Sequence, residues 1–519
     1  MPIVWTIEGH EYKSPVRVLI ARFWQGREKK AELLKETQEE LRRCEAVIEK
    51  LEAKQRELES RNRQLGQRVR ELEANIQARA SQPFQLPPDP SLPHHHYGAR
   101  MISLSVNLSR VIGFHASEAV LNLFFSWLGC TVSVPHWTTI RGWLQRVGVA
   151  ALDAPVEKAD DWILMADHSI QLGTDRAFMV MGIRASQLPP VGQPLRHEDV
   201  RTLLLHPSGS WKQEATADDL RTVIERTGTP RCILIDGAAD LKGGVGIIKS
   251  EGYELLQFHD FKHHAATILK SLLHNNKQFE AFNSQLGRTR AAIQQTELAH
   301  LSPPAKKIKA RFMNLAATLN WASMVLWHLD HPASITSQEL DVKRFEEKLG
   351  WLRKHSHDIA EWHECQQVIS AGVTFINEHQ LYQGVAKKFH ELVKDIASTP
   401  KAQEVMSKLM IFLETAEQHL KEGERLPIST EIVESRFGAY KQLERQHSHD
   451  GFTSLLPAMA ALQKATTPET IRRDFAAVTN DAVTKWVEKN LKKTVTSRRN
   501  KAYGEYHAAN RATNETTTT

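Results

Sequence analysis

Asp167 and Asp236 each follow a short apolar run, Trp162-Ile163-Leu164-Met165-Ala166 before the first and Cys232-Ile233-Leu234-Ile235 before the second. Runs of this length and composition read as buried strands. A carboxylate at the C-terminal end of a buried strand is where open α/β sheets present their chemistry, and Gly237, directly after Asp236, permits close approach. Taken singly, each Asp reads more readily as the start of a turn or the cap of a loop. Two of them, with a helical crossover between, point to a paired-carboxylate metal site. Further on, the helical stretch EIVESRFGAYK carries Glu431 and Glu434 on one face, with Lys441 two turns beyond Glu434.

The elements needed to position these acids follow from periodicity. Strands are expected at 163–169 and 177–185 with a turn around Gly173, then at 201–206, 231–235 and 254–258. Helices are expected at 216–227, begun by a polar TADD start, and at 239–251. The order β-β-β-α-β-α-β is the ribonuclease H-like arrangement, in which the first and fourth strands are neighbours. Asp167 and Asp236 would then converge. From 265 to 425 nearly every segment has helical periodicity, including 315–329, 338–354, 368–378 and 404–422, which reads as a helical insertion. Its tryptophans, Trp321, Trp327, Trp351 and Trp362, lie on helical patterns and suit core packing better than base stacking.

The N-terminal part is organised differently. Residues 1–26 form a lead-in. Across 27–80, Leu34, Leu41, Ile48, Gln55, Asn62, Val69 and Ile76 recur every seven positions. Thr37, Cys44, Leu51, Leu58, Leu65 and Leu72 form the companion series three positions later. This is an a/d seam, and Asn62 at an a position is a register-fixing residue of two-stranded coils. A Pro-rich linker with His94-His95-His96 fills 81–99. Residues 100–150 read as three short helices, the last over 136–147 and closed by Gly148. Helix, Gly-containing turn and helix fit a helix-turn-helix region, and equally a plain helical hairpin. If the former, Thr138, Thr139, Arg141, Gln145 and Arg146 would meet DNA. The region 465–519 is a basic tail that would suit a phosphate-tracking arm or a solvated helix, with 510–519 disordered.

The 519 residues, with 41% hydrophobic and 25% charged, have the make-up of a soluble globular protein with several domains. Net charge +6 and pI 8.9 are compatible with a polyanionic partner. The four cysteines, Cys44, Cys130, Cys232 and Cys365, form no CxxC pair, which speaks against a zinc ribbon or a disulfide framework and for a reducing cytoplasm. No signal-peptide pattern opens the chain and no run is apolar and long enough for a membrane span. The reading is thus a mixed, mostly α chain. It has an N-terminal coiled coil (27–80), a helix-turn-helix region (100–150) and an α/β ribonuclease H-like domain (155–264 and 426–464) interrupted by a large helical insertion (265–425).

On DHSIQLG from Asp167, LIDGAADLK around Asp236, HDFKHH and EIVESRFGAYK, the chain resembles the DDE transposases of bacterial insertion sequences. Asp260 and His263 look like the Asp-x2-His signature that many of these families carry after the second acid, and Glu434 with Lys441 resembles their third-acid motif. The Tyr and Arg that often precede the third acid are missing, with Ile428 and Thr430 nearby instead, so Glu431 stays open as an alternative to Glu434. The cysteine-rich zinc module of some relatives is absent too.

The resemblance implies a cytoplasmic, nucleoid-associated enzyme that binds double-stranded DNA, both element ends and target. It would cut and join strands with Asp167, Asp236 and Glu434 holding two Mg2+ ions, for which Mn2+ could substitute. His263, Arg436 and Lys441 would contact the scissile phosphate or position a carboxylate. Competing readings are a structure-specific nuclease on the same fold and a catalytically inactive coiled-coil DNA-binding protein. Glu434 is preferred over Glu431 because Val433 and Phe437 should anchor it, whereas Glu431 sits at the helix start, where acids commonly serve as caps.

The heptads predict a homodimer through 27–80. A peptide of those residues should sediment as a dimer at tens of micromolar, and Asn62→Leu should raise its melting temperature while loosening the oligomer. A monomeric peptide would count against the seam.

Overall fold

The computed structural model describes residues 6–7, 10–11, 47–74, 86–172, 175–209, 212–305, 312, 315–335, 341–446, 454–463, 465–491, 499 and 502–507. The chain divides into two compact units, Met1–Pro88 and Asp89–Thr519. In the first, strands β1 (Thr6–Ile7) and β2 (His10–Glu11) pair antiparallel, and residues 47–74 form one helix, α1. The heptad residues Ile48, Leu51, Leu58, Leu65, Val69 and Leu72 are all about half exposed along α1. The seam positions before 47 and after 74 lie outside the described residues.

The second unit is mostly helical around one mixed sheet. It opens with α2 (Ala99–Ile112), α3 (Phe114–Trp127) and α4 (Trp137–Asp153). The sheet and its crossovers follow as β3 (Trp162–Leu172), β4 (Asp175–Arg184), β5 (Arg201–Ser208), α5 (Gln213–Thr227), β6 (Cys232–Ile235), α6 (Ala239–Ser250) and β7 (Leu256–His259). Then come α7 (Phe261–Leu273), α8 (Lys277–Ile293), α9 (Ala316–Asp330), α10 (Val342–Leu349), α11 (Ser356–His379), α12 (Val385–Val393) and α13 (Pro400–Glu417). The chain closes with α14 (Glu431–Arg445), α15 (Ala458–Ala461), α16 (Pro468–Ala477) and α17 (Asn480–Asn490). Among the described residues, no helix is long and apolar enough to cross a membrane.

Strand order is β5-β4-β3-β6-β7. β3 pairs antiparallel with β4 and parallel with β6, and β6 pairs parallel with β7. Strand alternation sorts the side chains. Ile163, Met165, Cys232 and Leu234 face one core, which extends without a break into α2, α4 and the helices from α7 to α16. Trp162, Leu164, Ala166, Ile233 and Ile235 face a second core closed by α5 and α6. β6 is buried on both faces, which is why its sequence is an unbroken apolar run. Trp321 and Trp362 are buried core residues, whereas Trp327 is 53% exposed.

Two expectations need correction, and two further features were not foreseen. β3 does not end at Asp167: it continues to Leu172 because β4 goes on pairing with it after β6 has stopped at Ile235. The third helix does not close at Gly148. α4 runs on to Asp153, and Gly148 is small because Pro457 packs there: a Cβ would lie 2.0 Å from the Pro457 carbonyl oxygen. The end of the Pro-rich linker is tied down, since the Asp89 carboxylate accepts the Arg100 and Met101 N–H groups at the start of α2. The beginning of the basic tail is part of the compact unit, with α16 packed on α2 and α4. Residues 492–498, 500–501 and 508–519, including the tail's 510–519, lie outside the described residues, as do 1–5, 8–9 and 12–26 of the lead-in.

Two glycines of α4 give a paired test. Gly148→Ala should destabilise the protein by about 1–3 kcal/mol through overpacking. Gly142→Ala, with nothing within 4 Å of the added carbon, should stabilise it by about 0.5–1 kcal/mol. Urea unfolding of both variants checks this.

Candidate active site

Ala166 of β3 lies opposite Ile235 of β6 in a parallel register. The next residue on each strand is an acid, Asp167 and Asp236, and alternation sends both to the face that carries Met165 and Leu234. Asp167 is buried, 9% exposed, and its Oδ1 accepts the His168 N–H at 2.6 Å. Asp236 Oδ1 accepts the Ala238 N–H at 2.8 Å. The Asp236 carbonyl is in turn held at 2.7 Å by Nε2 of His259, at the end of β7. Gly237 adopts φ +89°, and a Cβ there would come within 2.5 Å of that imidazole nitrogen. Glycine is therefore required beside Asp236 by both conformation and space.

Burial first, then the charges of Asp236 and Glu434, push the Asp167 carboxyl up to about 7, although the His168 N–H and His263 act the other way. The charges of Asp236, at the end of β6, and of Glu434, from α14, thus both reach Asp167 across this face.

The third acid arrives by a different route. Asp260, fully buried, follows β7 and caps α7. Its Oδ1 accepts the His263 N–H at 2.7 Å and His263 Nδ1 at 2.8 Å. Its Oδ2 accepts from both the N–H and the hydroxyl of Thr430, the residue before α14. Burial opposes ionisation of Asp260, but these bonds outweigh it and hold its carboxyl below the ordinary range. Burial likewise disfavours charge on His263, yet Asp260, Glu434 and Asp236 raise it to about 9. The imidazolium stands 3.7 Å from Glu434. Lys262 bridges both glutamates of α14, at 2.6 Å from Glu431 and 3.3 Å from Glu434. Glu431 is also bonded by the Asn377 amide. Glu434 thus turns toward the aspartates, whereas Glu431 turns toward α11.

Other sequence-derived candidates are placed elsewhere. Arg146 is buried, with its guanidinium given to the Val478 and Phe475 carbonyls and to His95, and it covers the Phe475 ring at 4.2 Å. It is an internal strut and not a DNA contact. Arg141 and Gln145 are half-buried and bond Ser454 through its hydroxyl and carbonyl. Thr138 is exposed at the start of α4 and Thr139 is half-buried. The remainder of that helix is mostly core, so α4 presents little surface for a groove. Arg436 is fully buried and bonds the His197 carbonyl at 3.3 Å. Two positions beyond Glu434, it faces the opposite side of α14 from the acids, so it too is not a phosphate contact. Lys441 is exposed. Lys262 and His259 had no assigned role in the sequence reading. Lys262 lies inside HDFKHH, but only the fold sets it against α14.

Three carboxylates with no thiolate form a donor set of the kind hard divalent cations take. Burial and the Asp236 charge disfavour the ionised form of Asp167, and a cation between the two would offset both. Among the described residues no group of three His, Cys, Asp or Glu side chains is already gathered around one point, and Glu434 is occupied by Lys262 and His263. No protein-family model matches the chain, and no curated protein matches it.

Asp167 generates a pH prediction. Its folded carboxyl titrates near 7 against an ordinary 3.8, so the folded state binds more protons between these values and loses stability as pH rises through them. In chelator, Asp167→Asn should melt like the parent at about pH 4. Above pH 7 it should be the more stable protein, by on the order of a few kcal/mol. Equal melting curves at pH 8 would show that Asp167 is not under this strain.

Proposed function

We propose that this chain is a DNA strand-cleaving and strand-joining enzyme of the DDE transposase kind, built on a ribonuclease H-like sheet. The observation that carries the reading is the placement of Asp167 and Asp236 at one register level of neighbouring parallel strands, facing Glu434. The strand order, three antiparallel strands followed by two parallel ones, supports it as well.

Asp167, Asp236 and Glu434 are the residues that would hold Mg2+, or Mn2+ in its place. When bound, a pair of such ions supplies Lewis acidity at the scissile phosphate and an activated oxygen nucleophile, water or a DNA 3′-hydroxyl. The protein's own groups have separable tasks. His259 fixes the Asp236 backbone, and Asp260 fixes His263 and the start of α14. Lys262 and His263 neutralise the Glu434 carboxylate, which would otherwise be free to join the aspartates in holding a cation. Lys441, exposed two turns beyond Glu434, is available to a DNA phosphate on the same side. The exposed heptad residues of α1 support a homodimer, which would let two copies hold two DNA ends.

The test is cleavage of a plasmid carrying the DNA that flanks this gene, in Mg2+, with joining of the cut ends to a second DNA scored in parallel. Asp167→Asn, Asp236→Asn and Glu434→Gln should each lose about 1000-fold, the loss expected when several kcal/mol of charge stabilisation disappears. Glu431→Gln should stay within about tenfold of the parent. Cleavage that persists in the aspartate variants would overturn the site. Cleavage without joining would leave a nuclease.

A further inference from the structure

The outer face of α3 is apolar and carries no charge. The helix packs on α2 and α4 through its inner face, where Phe114, Ser117, Leu121 and Phe125 are buried. On the side turned to solvent stand Ala116, Ala119, Val120, Leu123, Phe124 and Trp127, spaced to form one stripe. Trp127 is 80% exposed and Leu123 71%, and Val120 and Phe124 are exposed as well. The helix has no Lys or Arg, and its one acid, Glu118, accepts the Trp137 N–H at the start of α4 at 2.9 Å.

The four large side chains present on the order of 500 Å² of apolar surface per copy, and a patch of that size on one helix marks an interface. DNA is a poor match, because the face offers no cation to a phosphate. A membrane surface is a poor match too, since helices that lie among lipid headgroups bring Lys and Arg with them. The face is, by contrast, complementary to itself. Large residues fill its C-terminal half and small ones its N-terminal half. With a two-fold axis at the level between Leu121 and Asn122, an antiparallel copy sets Trp127 over Ala116, Phe124 over Ala119 and Leu123 against Val120, each contact made twice. Large against small is how facing helices interdigitate. Such a pair would bury about 1,000 Å², the lower bound of a specific interface.

We infer that α3 pairs antiparallel with α3 of a second copy of this chain, which gives the 100–150 region a role in assembly. The inference goes beyond the proposed DNA cleavage and does not depend on it. An interface of this size is weak on its own. Pairing through 27–80 would raise the effective concentration of a second α3, so that the weak contact closes within the same pair of copies. Two separate homotypic contacts then hold one dimer.

The experiment uses the full-length chain with Leu58→Pro and Leu65→Pro, which break α1 and remove the coil. Sedimentation equilibrium of this chain should show reversible dimerisation at roughly tens of micromolar. Adding Leu123→Glu should weaken it about tenfold or more, with little change in melting temperature, since that side chain is exposed. Trp127→Ser should do the same, and serves if the glutamate variant does not fold. Register is tested by mixing two coil-broken chains. Val120→Lys mixed with Leu123→Glu should form a mixed dimer, lysine opposite glutamate, tighter than either chain forms alone. Val120→Glu mixed with Leu123→Glu should not. A coil-broken chain that stays monomeric at about 100 micromolar would overturn the inference. Dimers of unchanged strength in both the Leu123→Glu and Trp127→Ser variants would overturn it too. Equal association in the two mixtures would overturn the antiparallel pairing.

Discussion

One buried carboxylate holds the proposed site together. Asp260 has no exposed surface, and its two oxygens accept from the His263 N–H, the His263 ring, the Thr430 N–H and the Thr430 hydroxyl. Its own N–H reaches the Ile235 carbonyl, the last residue of β6, and the next N–H, of Phe261, reaches the Ile428 carbonyl. Three segments meet at this one residue: the strand that ends before Asp236, the helix that carries Lys262 and His263, and the approach to the helix that carries Glu431 and Glu434. A buried charge is tolerated only when its lone pairs are satisfied, and here each acceptor bond also fixes a neighbour in position. If the carboxylate were lost, donors of both α7 and α14 would be left buried and unpaired together.

The charges on this face are uneven in an informative way. Among the described residues the two aspartates have no basic partner within hydrogen-bond reach, and Asp167 is driven toward its neutral form. The helix-borne Glu434 has two cationic neighbours, and Glu431 has Lys262 and an amide. The sheet thus supplies the electrostatic deficit that would draw a cation, while the helices supply a balanced reserve. Exchange of Lys262 between Glu431 and Glu434 would require only small side-chain motions, because the two acids stand one turn apart.

The basic side chains of the helical regions have a different use from the one their types suggest. Arg146 and Arg436 read as phosphate contacts because arginine pairs so well with phosphate. The same planar fork satisfies backbone carbonyls at the ends of buried elements, and that is how Arg146 is spent, on Val478 and Phe475. α4 keeps one exposed hydroxyl near its start, and its other faces carry the joints to α2, α15, α16 and α17. A short helix with a few polar residues does not reveal which of them are turned inward by neighbours hundreds of positions away. Ser454 and Phe475 are such neighbours.

What the sequence by itself determined is what local physics determines. The apolar runs before Asp167 and Asp236 specify buried strands. The succession of three strands, helix, strand, helix and strand specifies which strands can be adjacent, and the heptad spacing specifies an apolar stripe on α1. The face on which Glu431 and Glu434 sit follows from three-residue spacing alone. The tertiary structure decided what depends on long-range partners. Asp167 lies inside a longer strand because β4 outlasts β6 beside it. Gly148 belongs to the middle of a helix because Pro457 packs there. Lys262 faces two glutamates because Asp260 ties α7 to Thr430 across the whole helical insertion. Periodicity reports which side of an element is apolar, whereas the partner that covers that side, and the charges it brings, are set by chain closure over long separations.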